Sequence, residues 1–127
     1  NGIKGFVQQI KKKGYVEYSG NGSEIREYIH VSDAANLSMK ALEDEYKNRA
    51  ITITGQQSIK IADMLAMIFE IAGKKFNVKY SSKNIKNFHY GNTPYRYVPK
   101  SSMKVIPKEF IDLGQGLLDI VEEVNNN

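Results

Sequence analysis

The sequence predicts an α/β fold, a small mixed sheet with about four helices, and three observations carry that reading. Apolar residues recur at helical spacing in three stretches: Ile3, Phe6, Val7 and Ile10; Ile61, Leu65, Ile68, Phe69 and Ala72; and Leu113, Leu117, Ile120, Val121 and Val124. Between them lie short runs of strand formers, Tyr15-Val16-Glu17-Tyr18, Tyr28-Ile29-His30-Val31, Ala50-Ile51-Thr52-Ile53-Thr54 and Phe76-Asn77-Val78-Lys79-Tyr80. A chain of 127 residues has room for one domain, residues 1–127, with a single core.

Each element has its own punctuation. The first helix runs from Ile3 to Lys13 and stops at Gly14, with Lys11, Lys12 and Lys13 as its solvated end. The strand Tyr15–Tyr18 leads into a turn at Gly20 and Gly22. A strand over 27–31 follows, then a helix from Asp33 to Tyr46 capped by Ser32, with Ala34, Leu37, Ala41 and Leu42 on its buried side. Residues 50–54 form the cleanest strand, closed by Gly55. A helix from Lys60 to Ala72 ends at Gly73, and Lys60 stands where a capping Ser or Thr is usual; Ser58 is the alternative cap one turn earlier. The strand 76–80 alternates with period two. Residues 81–106 are irregular and hold Pro94 and Pro99, and from Phe110 the chain is helical again until Asn125-Asn126-Asn127 frays. Met39, Met64 and Met67 read as core filler, and His30 as a packed histidine with one bonded ring nitrogen.

Composition excludes several classes. There is no cysteine, which rules out disulfides, thiolate metal sites and a Cys nucleophile. The two histidines, His30 and His89, have no metal-ligand spacing, and no metal site is expected. The net charge of +4 comes from dispersed lysines rather than from arginines interleaved with aromatics, so no nucleic-acid partner is expected. No apolar run reaches the roughly 20 residues of a membrane span. The chain opens Asn1-Gly2-Ile3 without an initiator Met or a signal peptide, so a cytoplasmic piece of something longer is expected.

Gly20-Asn21-Gly22-Ser23-Glu24-Ile25-Arg26-Glu27-Tyr28-Ile29-His30-Val31-Ser32-Asp33 is the stretch with chemical content. It delivers one arginine beside a tight turn, which suits an anion clamp or, equally on composition, a salt bridge to Glu24 or Glu27. The segment closely resembles the Gly-Asp-Gly … Arg-Asp-Phe-Ile-Tyr-Val-Asp-Asp element of the NAD-dependent nucleotide-sugar epimerases and dehydratases, the extended short-chain dehydrogenase/reductases. Ile51-Thr52-Ile53-Thr54-Gly55 resembles their Tyr-Asn-Ile-Gly strand. Tyr95-Arg96-Tyr97 with Ser102-Met103-Lys104 resembles their late Arg-Tyr … Ser-Lys element, and Leu113-Gly114-Gln115-Gly116-Leu117 the start of their last helix. Order and spacing agree along nearly the whole chain.

The resemblance implies a Rossmann-type enzyme of which this is the C-terminal, substrate-side portion. The family's glycine-rich dinucleotide turn and its Tyr-x-x-x-Lys pair are both missing: Gly20 and Gly22 precede a strand, and no tyrosine has a lysine four residues later. NAD or NADP is therefore expected in the full-length enzyme and not on these residues, with no catalytic residue among them. The missing N-terminal Rossmann half and a nucleotide diphosphate-sugar are the expected partners, and self-association is a further expectation because strand edges and apolar faces would be open.

By resemblance, Arg26 and Arg96 clamp the diphosphate from opposite sides, a role that suits a planar guanidinium. Arg96 has a second reading as a surface arginine stacked on Tyr95 or Tyr97. Val16 and Tyr18 match the strand that lines the nucleotide base, or are simply strand core. Asn1 corresponds to a family asparagine near the substrate. His89 and Tyr90 are candidates for the sugar pocket or a lid, against a surface role. The rival to this assignment is a stand-alone small basic binding or interaction module.

Overall fold

The computed structural model describes residues 2–81 and 102–127. Its elements in chain order are α1 (Ile3–Lys13), β1 (Val16–Ser19), β2 (Ile25–Tyr28), α2 (Val31–Lys40), a 3-10 turn (Asp44–Tyr46), β3 (Ile51–Ile53), β4 (Gln57–Lys60), α3 (Ile61–Ile71), β5 (Val78–Ser81), β6 (Met103–Val105) and α4 (Leu113–Asn126). The fold is mixed α/β with four α-helices among the described residues, as the patterning predicts.

The core is a helical layer. In α3, Ile61, Met64, Leu65, Ile68 and Phe69 repeat at the spacing of one helix face, and all five are buried. Against it pack Phe6, Val7 and Ile10 of α1 and Leu117, Val121 and Val124 of α4, with Val16 of β1 completing the cluster. Fully burying side chains of this size stabilises the fold by about 1.5–3 kcal/mol each. Gly73 ends α3 in the left-handed region at φ 64°, and the amides of Gly73 and Lys74 return to the carbonyls of Glu70 and Phe69 at 3.0 and 2.9 Å.

Among the described residues the strands pair in three two-stranded sheets. β1 and β5 run parallel with Val16 opposite Val78 and Tyr18 opposite Tyr80. β2 and β4 are antiparallel, with Arg26 opposite Ile59 and Tyr28 opposite Gln57. β3 and β6 are parallel, with Ile51 opposite Met103 and Ile53 opposite Val105.

Several boundaries differ from expectation. β2 stops at Tyr28, where its pairing with β4 ends, so α2 begins at Val31 and its cap is His30 rather than Ser32. The His30 Nδ1 accepts from the Ser32 amide at 3.2 Å, which gives the histidine its one bonded ring nitrogen. α2 ends at Lys40, five residues before the 3-10 turn reaches Glu45. Leu42, expected inside, is 78% exposed, and Met39 is 69% exposed rather than core filler. β4 occupies the stretch expected to hold a cap at Ser58. α4 starts at Leu113 with Asp112 as its cap, and stays helical through Asn126 rather than fraying. No helix among the described residues is long and apolar enough to cross a membrane.

Candidate functional site

The site is built from β1, the glycine turn, and the antiparallel β2–β4 pair. Asn21 closes the turn on itself, its Oδ1 accepting from the Ser23 amide at 2.9 Å and the Ser23 hydroxyl at 2.6 Å. Gly22 takes φ 83°, and a side chain there would press on the Tyr80 hydroxyl and on Ala62. The turn then does what a side-chain cap does elsewhere. The amides of Ile61 and Ala62, the first of α3, donate to the carbonyls of Glu24 and Gly22, both at 2.9 Å. Lys60 therefore needs no capping side chain, and it supplies none. On the other flank, the Gly20 amide donates to the Ser81 carbonyl at 3.0 Å, tying the turn to the end of β5.

Arg26 is fixed by this frame. It is half-buried on β2, and its Nη1 donates to the Ile25 carbonyl at 3.2 Å. Alternation along the strand places Arg26 and Tyr28 on one face and Glu27 on the other. Glu27 is taken up on that other face, accepting from the Thr54 hydroxyl at 3.1 Å and lying 3.9 Å from the Lys104 ammonium. Glu24 turns back over the glycine turn, where its Oε1 accepts from the Asn21 amide at 3.2 Å. Its Oε2 is buried and has no hydrogen-bond donor among the described residues.

Two tyrosines feel the arginine. Burial first, and then the Glu24 carboxylate, push the Tyr18 phenol up to about 12, with Arg26 pulling in the opposite direction. Burial likewise raises Tyr28, again opposed by Arg26. Tyr18 is wedged edge-on between Phe6 and Tyr80, at ring separations of 6.0 and 6.3 Å. The half-buried guanidinium is thus near enough to both phenols to favour their ionised forms, against the burial that opposes them.

The expected residues are not all in this place. Arg26 and Tyr18 are brought together. Val16 is fully buried in the helical core, so its side chain has no surface to offer a ligand. Arg96 and Asn1 lie outside the described residues, as do His89 and Tyr90. Sequence reasoning named Glu24 as an ion-pair partner for Arg26 but not as a neighbour of Tyr18, and it missed Tyr28. The period-two alternation from Arg26 to Tyr28 was the available signal for the second.

A cleft of about 500 Å³ opens beside Tyr28, walled by Leu113, Leu117 and Ile120 of α4 and by Ile3, with His30 and Asp119 at its edge. The His30 Nε2 is 3.9 Å from the Asp119 carboxylate. Arg26 is not among the described residues that line this cleft. Behind it, Gln57 joins β4 to the start of α4, donating to Asp112 at 2.9 Å and accepting from the Leu113 amide at 2.6 Å.

The fold matches the crystal structure of UDP-glucuronic acid 4-epimerase from Bacillus cereus, solved in complex with UDP-glucuronic acid and NAD, with a TM-score of 0.63 at 19% identity. The match takes in 94% of this chain and 38% of that one, so this chain spans well under half the length of the solved epimerase. The likeness is one of fold, a mixed α/β arrangement shared with part of that chain. Residues 2–54, which include the glycine turn and Arg26, match the model of the NAD dependent epimerase/dehydratase family. No curated protein matches.

Proposed function

We propose that these residues form the nucleotide-sugar-binding part of an NAD(P)-dependent epimerase or dehydratase, and that a nucleotide-binding half elsewhere in a longer polypeptide performs the chemistry. The observation that supports this most is Arg26, set on β2 beside Tyr18 and Tyr28 inside the stretch that the family model matches. A guanidinium on this strand suits paired, charge-assisted bonds to a diphosphate, and in this reading Tyr18 is the ring assigned to the base. Arg96 is the second clamp in this reading. The solved relative was crystallised with a sugar nucleotide and NAD, which supports the ligand class.

The geometry of the turn bears on the cofactor. A dinucleotide fingerprint offers free amides at a helix N-terminus to the pyrophosphate. Here the first amides of α3 are already bonded to the carbonyls of Gly22 and Glu24, so this glycine turn makes no such cradle. NAD or NADP belongs to the other half, where it supplies hydride chemistry at the sugar. These residues hold and orient the sugar nucleotide.

Calorimetry tests the reading. The 127-residue chain is expected to bind UDP-glucuronic acid weakly and NAD not at all. Arg26→Ala should lower sugar-nucleotide affinity by about ten- to a hundredfold, the range for a lost bond to a charged group. Tight NAD binding by the chain, or unchanged affinity in Arg26→Ala, would overturn it.

A further inference from the structure

We infer that Glu24 is a resident anion of the candidate site, a carboxylate that shares the hollow beside Arg26 and opposes the entry of a diphosphate; this rests on the reading proposed above. Glu24 stands directly before β2, and its carbonyl accepts the Ile61 amide at 2.9 Å, which fixes the backbone here to the start of α3. The two-residue period of an extended chain then turns its side chain to the face of Arg26 and Tyr28.

Space for the carboxylate comes from Gly20. A β-carbon at that position would collide with the Glu24 Oε1 and would lie 2.7 Å from Cε1 of the Tyr18 ring. The glycine turn thus leaves a hollow in which carboxylate and phenol meet. The phenol registers both charges. Burial is the main cause of its raised pKa, Glu24 adds to it by its charge and by a hydrogen bond, and Arg26 opposes both. Carboxylate and guanidinium therefore act on one ring from close by.

Hydrogen bonds alone leave this carboxylate poorly satisfied. Its Oε1 takes the Asn21 amide at 3.2 Å, while Oε2 is buried with no donor among the described residues. A carboxylate oxygen in that position is costly unless a positive charge stands nearby, and Arg26 is the cation that shares Tyr18 with it. Glu27 is different, having Thr54 and Lys104 as partners on the opposite face. The field of the guanidinium is thus partly answered by the protein itself before any ligand arrives. A diphosphate brought against Arg26 meets a like charge in the same hollow, and repulsion of that kind sets what a site rejects. An uncharged ligand meets no such opposition. Binding at this site then requires contacts beyond the phosphates.

Chemical-shift titration of the 127-residue chain with UDP-glucuronic acid, inorganic pyrophosphate and uridine tests the inference. Glu24→Gln keeps the shape of the side chain and an acceptor for the Asn21 amide. It should tighten both charged ligands by about three- to tenfold and leave uridine unchanged. In the Arg26→Ala background that gain should largely vanish, because the two groups act on one another. Glu24→Ala, which keeps the backbone carbonyl bonded to Ile61, gives the same reading by a second route if the glutamine variant does not melt cooperatively. Equal or weaker binding in both Glu24 variants, with Arg26→Ala still weakening the unaltered chain, overturns the resident anion and leaves the proposed function standing. A gain that extends to uridine, or that persists in full without Arg26, also overturns it. Sugar-nucleotide binding that Arg26→Ala leaves unchanged overturns the proposed function as well.

Discussion

The α1–α3–α4 layer and the α2–β3–β6 side were built from similar residues and ended differently. The first closes over its own apolar stripe: Met64, Leu65 and Ile68 have no exposed surface at all. The second has comparable side chains, Val31, Met39 and Leu42, and leaves them in water. Composition does not separate the two. What separates them is whether a facing layer exists, and for α3 both α1 and α4 provide it. In the chain, β2 with Arg26 leads into α2 and its antiparallel partner β4 leads into α3, so the candidate site joins the closed side to the open one.

Truncations on the two sides break this contrast if it is false. Leu65→Ala removes packed methyl groups from a fully buried site, and should cost about 2–5 kcal/mol in urea unfolding. Met39→Ala deletes a similar volume from an exposed position and should stay within about 0.5 kcal/mol. Equal losses at the two positions would mean that α2 is covered in the isolated chain.

How much of this could be read from the sequence follows the same division. The three apolar stripes locate α1, α3 and α4 because period and burial agree when a helix has a partner on its apolar side. The same rule misplaces Met39 and Leu42, since local apolarity says that a face wants cover and not that cover is present. β4 and β6 escaped notice for another reason. Gln57-Ser58-Ile59-Lys60 has a single strand former, and Met103–Val105 has three residues, so pairing with β2 and β3 defines them rather than propensity. Arg26 was legible through its motif. Its relation to Tyr18, Glu24 and Tyr28 depended on a turn whose carbonyls cap a helix 37 residues further on, and no local pattern announces that.

The link between the two sides gives the next effect in size. Asp33 is the buried charged residue of α2, and its carboxylate accepts the Ile111 amide at 2.8 Å, fastening α2 to the approach to α4. Asp33→Ala strands that amide and should cost about 1–3 kcal/mol. Asp33→Asn keeps an acceptor oxygen and should recover most of the loss, which a simple packing defect would not do.

The smallest effect probes the site itself through pH. Tyr18 has a folded-state value of about 12 against an ordinary 10, chiefly through burial and then through Glu24. A group whose folded value is raised contributes stability that is complete below the unfolded value and is lost as pH rises through the folded one. Above pH 10 the unfolded chain gives up this proton while the folded chain keeps it on Tyr18, so the melting temperature should decline between pH 10 and about 12. Other tyrosines and the lysines titrate in the same window, so the comparison that matters is with Tyr18→Phe, whose decline should be shallower. Glu24→Gln removes the second cause and leaves the burial. It should move the Tyr18 titration downward only in part, and a complete return to 10 would mean that the carboxylate, rather than the packing between Phe6 and Tyr80, holds the phenol neutral beside Arg26.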